Sequence, residues 1–81
     1  MENTIFALGV IYANAHLSEP INSALTESVN MILKDLSKYM LLNEKKQIFI
    51  RGCIMQLSSQ KNIIDPMSLT LDIVKNIKYF K

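Results

Sequence analysis

Cysteine occurs once in these 81 residues, at Cys53, and histidine once, at His16. A single thiol excludes an internal disulfide. One cysteine and one histidine cannot close a zinc site. Arginine also occurs once, at Arg51. There is no glycine-rich phosphate loop, no paired-carboxylate motif and no metal-ligand spacing. The apolar stretch from Ile5 to Ile11 is interrupted by Gly9 and is far too short to span a bilayer. The net charge of +2 is too small to argue nucleic-acid binding. No cofactor is expected, and an enzyme is the least favoured class.

What is present is apolar periodicity. Ile21, Leu25, Val29, Ile32, Leu36 and Met40 make one stripe. Ile50, Cys53, Ile54 and Leu57 make a second, and Thr70, Ile73, Val74, Ile77 and Phe80 a third. Spacings of three and four are helix faces that need cover. The chain therefore reads as one all-α domain, a helical hairpin or bundle of three to four helices. Residues 18–81 form its core, and residues 1–17 a less certain apolar helix. A chain this short buries only about 60–65% of its unfolded surface and is marginal without help. Disulfide and metal staples being excluded, dimerisation is the expected completion. Leu25, Val29, Ile32, Leu36, Ile50, Ile54, Ile73 and Ile77 are the expected core or dimer positions. The lone thiol fits a reducing compartment.

Residues 2–17 invite comparison with a signal peptide, since Ala13-Asn14-Ala15 follows an apolar run. The n-region carries Glu2 and no positive charge, so a packed first helix is the better reading. Ile5, Leu8, Ile11, Tyr12 and Ala15 would share its inner face. Gly9 weakens such a helix by about 1 kcal/mol relative to Ala, so it needs cover.

Ser18-Glu19-Pro20 reads as the start of a second helix running to about Leu42. Leu25, Val29, Ile32, Leu36 and Tyr39 fit alternating a/d positions, which suggests a paired helix. Asn43 and Glu44 suit the start of a third helix, to Ser58 or Ser59. Gly52 inside it reads as a point of close helix approach or, less simply, a hinge. Asp65-Pro66 opens a last helix, with Asp65 as N-cap, to about Tyr79. Lys75, Lys78 and Lys81 then complement its dipole.

Among polar residues, His16 has no partner nearby in sequence and reads as structural. Cys53 lies on an apolar stripe and reads as a small buried hydrophobe. Charge is unevenly spread. Residues 1–33 carry Glu2, Glu19 and Glu27 and no Lys or Arg, while all nine basic groups lie in residues 34–81. Lys45, Lys46 and Arg51, on the polar side of the third helix, are the candidate partner-binding cluster.

Three patterns from Glu27 onward add a resemblance: Glu27 through Asp35, Asn43 through Leu57, and Leu69-Thr70-Leu71-Asp72-Ile73-Val74. They resemble the first, second and closing helices of the YmgB (AriR) family of small enterobacterial regulators, linked to biofilm formation and acid resistance. The resemblance covers about two thirds of the chain. It implies a dimeric, non-enzymatic connector to a two-component phosphorelay response regulator. DNA association has also been proposed for that family. Two other readings remain open. One is a secretion-system chaperone or co-chaperone. The other is a weak DNA-binding regulator, which the single arginine and the absence of a basic base-reading helix disfavour.

Overall fold

The computed structural model describes every residue except Pro20, Ile21, Ser37 and Lys38. It is all-α: α1 (Glu2–Ser18), α2 (Ser23–Asp35), α3 (Leu42–Ser58), α4 (Pro66–Val74) and a closing 3-10 turn at Lys78–Phe80. No strand occurs among the described residues. The Cα radius of gyration is 11.8 Å, close to the roughly 12 Å of a folded domain of this length. One copy is thus compact by itself.

The architecture is organised by α1 and α3, which run parallel. Met1 lies beside Glu44 at one end. At the other, the Gln56 side-chain amide donates to Asn14 Oδ1 at 2.9 Å. Between these ends the two helices meet at glycines. A Cβ on Gly9 would overlap the Phe49 carbonyl oxygen, and a Cβ on Gly52 would overlap the Phe6 carbonyl oxygen. Only residues without side chains allow backbones this close, where Cα–H groups lie against carbonyls. The Cys53 thiol donates to the Gly9 carbonyl at 3.3 Å in the same contact. The expectation for Gly52 thus holds, and Gly9 turns out to be its counterpart.

Meeting at Gly9 turns α1 by roughly a quarter turn from the expected face. Ile5, Gly9, Tyr12 and Ala13 point inward, while Ile11 is exposed. Around the crossing the core gathers Val29, Leu33, Phe49, Cys53, Leu57, Ile73, Val74, Ile77 and Phe80. Phe49 packs its ring 5.7 Å from Tyr12 and 5.3 Å from Phe80, the latter edge-on.

Two helices stop earlier than their apolar period suggests, for one physical reason. The last carbonyls of a helix have no partner inside it. In α2, the Leu33 carbonyl accepts from Lys45 Nζ at 3.3 Å, and Leu36 turns extended. In α4, the Ile73 carbonyl accepts from the Tyr12 hydroxyl at 3.1 Å. The Tyr79 backbone N–H then donates to Asn30 Oδ1 at 2.8 Å. Past Val74 the path tightens, Asn76 N–H donating to the Ile73 carbonyl at 3.2 Å and Ile77 N–H to the Val74 carbonyl at 3.0 Å, and Ile77 and Phe80 both reach the core. Lys75, Lys78 and Lys81 consequently do not line one helix end.

The other ends follow local chemistry. Asn22 caps α2, its side chain accepting from the Leu25 N–H at 3.0 Å. Ser18, expected to cap this helix, instead closes α1. Asn43 was expected to cap α3, but that helix begins at Leu42 with no side-chain cap. Asp65 caps α4 as expected, with Pro66 in the first turn. Its carboxylate accepts from the Ser68 N–H at 3.2 Å and the Ser68 hydroxyl at 2.7 Å.

Of the expected core, Val29, Ile50, Ile73 and Ile77 are buried. Leu25, Leu36 and Ile54 are half-buried at its margin. Ile32 is 41% exposed, and Leu33 takes the inward place beside it. Tyr39, the last position of the a/d register, is 98% exposed, because α2 ends before reaching it. Ile21, the first residue of that stripe, lies outside the described residues.

Candidate functional site

The molecule carries a groove of about 740 Å³. Three segments build it. α1 contributes Tyr12 and His16, one turn apart. α2 contributes Ser23, Thr26, Glu27, Asn30, Met31 and Lys34 from its outer side. The C-terminal segment contributes Asn76, Lys78 and Tyr79. The bond from the Tyr79 N–H to Asn30 Oδ1 ties the second wall to the third.

The groove has a polarity. Along α2, Ser23 and Glu27 lie toward its start and Lys34 about two turns beyond Glu27, while Lys78 adjoins Tyr79, whose N–H is held at Asn30 between them. His16 stacks on Tyr12 with ring centroids 5.5 Å apart and planes 26° apart. Partial burial holds its pKa below the usual 6.5, so the ring is neutral at pH 7. Among the described residues, Glu27, Lys34 and Lys78 form no ion pair; the pair found there is Lys75–Asp72, exposed on the surface at 3.6 Å.

Behind the groove sits Lys45. It is only 3% exposed. Its Nζ donates to the Leu33 carbonyl and, at 2.7 Å, to the Tyr79 hydroxyl. It also lies 5.1 Å from the centroid of the Tyr79 ring, within cation–π range. A buried lysine needs such partners. Here they join α2, α3 and the closing turn. The expectation that Lys45 belongs to an exposed basic cluster is therefore corrected: it is an internal tie. Lys46 is half-buried and Arg51 exposed. Five residues apart on a helix, they point about 140° away from each other. The structure does not bring Lys45, Lys46 and Arg51 together on one face.

Cys53 is fully buried. Desolvation pushes its thiol pKa up to about 12, which removes the thiolate that nucleophilic or metal-binding chemistry needs. No cluster of three or more metal-ligating side chains occurs among the described residues. No helix among them is long and apolar enough to cross a membrane. Comparison with models of protein families, with curated proteins and with solved structures found no match.

Sequence reasoning missed the groove and the role of Lys45. The groove joins residues 12–16, 23–34 and 76–79, which no local pattern links. Lys45 had a local signal that was passed over: it lies between Leu41 and Phe49 at four-residue spacing, in line with the inward face.

Proposed function

We propose that this protein is a non-enzymatic regulatory adaptor that acts by binding another protein, and that it pairs with a second copy through α2. The observation that carries this reading is the unfinished cover of the α2 stripe. Val29 and Leu33 enter the core, but Ile32 is 41% exposed and Leu25 and Leu36 are only half-buried. These three positions lie within about 40° of one another around the helix axis, along roughly 16 Å. An apolar edge of that width fits one partner helix.

The resemblance to the YmgB family supports the class of partner, a two-component response regulator, and a role in biofilm or stress regulation in the cytoplasm. Lys46 and Arg51, on separate sides of α3, would steer approach to acidic surface rather than form one docking point.

The test separates fold from assembly. Sedimentation equilibrium at micromolar concentration should report twice the chain mass. Ile32→Asp should stay folded, with a melting midpoint lowered only by loss of the dimer, run at half that mass and lose the captured partner in a pull-down. Leu33→Asp should unfold the chain, since it leaves a carboxylate in the core. A wild-type monomer throughout the micromolar range, or an Ile32→Asp variant that assembles and captures normally, would refute the reading.

A further inference from the structure

The groove has a second use that does not depend on the adaptor reading. We infer that it binds a small amphipathic organic anion, an apolar body carrying a single negative head. Three observations lead there. The first is shape. The groove follows α2 from Ser23 to Lys34, a length of about 16 Å, and is an open concavity of about 740 Å³. That size suits a small ligand.

The second is lining. The ring of Tyr79 and the thioether of Met31 supply apolar wall, over a floor that includes the buried Tyr12. Both tyrosine hydroxyls are engaged elsewhere, with the Ile73 carbonyl and with Lys45 Nζ. The half-buried Tyr79 ring therefore presents carbon surface to an occupant, while Tyr12 lies buried beneath His16.

The third is charge. Lys34 lines one end of the α2 wall and Glu27 stands about two turns away toward the other, with Lys78 beside Tyr79 on the facing wall; neither lysine has an anionic partner among the described residues. An anionic head is drawn to the lysine end and repelled from the glutamate end, so the ligand has one orientation. With His16 neutral, the groove's net charge is +1, which a single negative charge neutralises. Lysine provides this recognition as a point charge on a flexible stem, so either lysine alone retains part of it.

The experiment uses the full chain labelled with 15N and follows its amide spectrum during titration with sodium octanoate, with n-octanol as the uncharged control. Octanoate should shift the amides of Thr26, Asn30, Lys34 and Tyr79 saturably, with a dissociation constant on the order of 1 mM or below. Octanol should bind about tenfold more weakly, because it forfeits the charge-assisted contacts. Lys34→Gln combined with Lys78→Gln should weaken octanoate about tenfold and leave octanol unchanged. Both lysines are exposed, so the fold should survive. Should the double variant lose its dispersed spectrum, the contrast between octanoate and octanol on the wild-type chain decides. Unsaturable shifts, shifts outside the groove, equal binding of octanoate and octanol, or undiminished octanoate binding by a folded double variant would each overturn the inference. So would concentration-dependent groove shifts that block octanoate, which would place a second copy there.

Discussion

Alanine at Gly9 or Gly52 should destabilise this protein, against the ordinary sign for a helix. In a free helix interior, Gly→Ala gains about 1 kcal/mol. Here the new methyl meets the carbonyl oxygen of Phe49 or Phe6. Those atoms are backbone, so no side chain can rotate away. α1 and α3 must separate instead. A gap of about 0.5–1 Å forfeits a quarter to a half of each dispersion contact it crosses. Overpacking of this kind costs about 1–3 kcal/mol, and a rigid obstacle lies at the upper end. Subtracting the helix-propensity gain leaves a net loss of about 2 kcal/mol. For a domain of this size that lowers the melting temperature by about 8–16 °C. Total stability is only about 4–12 kcal/mol at this length, and the double variant, losing up to about 4 kcal/mol, should melt below either single one. Thermal melts followed by circular dichroism measure the effect. If either single alanine variant melted at or above the wild-type temperature, the backbone-to-backbone crossing would be wrong.

Three further outcomes follow from buried polar groups. The Thr70 hydroxyl is buried without a hydrogen-bond partner among the described residues, so Thr70→Val should raise stability by about 1 kcal/mol in urea melts; a loss would reveal a partner for that oxygen. Cys53 stays protonated to about pH 12 when folded, against an ordinary value of 9.0. Between these values the unfolded thiol loses its proton and the folded one keeps it. Cys53 therefore adds full stability below pH 9 and loses it as pH rises toward 12, by about 1.4 kcal/mol per pH unit within that window. Cys53→Ala should show a correspondingly shallower alkaline decline; parallel curves would contradict the assignment. Tyr79→Phe removes a partner from buried Lys45 and should cost about 1–3 kcal/mol in chemical denaturation. An unchanged midpoint would mean that water replaces the hydroxyl.

What was legible in the sequence was what neighbouring residues decide. The all-α class followed from spacing, the start of α4 from Asp65-Pro66, and the burial of Cys53 from its flanking isoleucines. The close approach at Gly52 was readable because glycine inside an apolar stripe has few other uses. The early ends of α2 and α4 were not readable. The side chains that donate to their terminal carbonyls, Lys45 and Tyr12, lie 12 and 61 residues away in sequence. Lys45 was assigned to the surface on its charge, although its position followed the inward period. The face of α1 was set by a backbone contact, which apolar counting cannot register. The groove exists only after three segments are brought together, so its pattern is absent from any one of them.

The way α2 is held has a consequence for motion. It sends only Val29 and Leu33 fully into the core, and its far end is tied through the Leu33 carbonyl and Asn30 to Lys45 and the closing turn. α1 and α3, by contrast, are locked along their backbones. Local opening follows the number of buried contacts released. Amide protons of α2 and the closing turn should therefore exchange with solvent together and sooner than those flanking Gly9 and Gly52. Two of the groove's three walls would then detach as one unit from a persistent α1–α3 pair. Any occupant that bridges α2 and the closing turn would slow that exchange, so recognition and the rigidity of half the molecule become the same measurement.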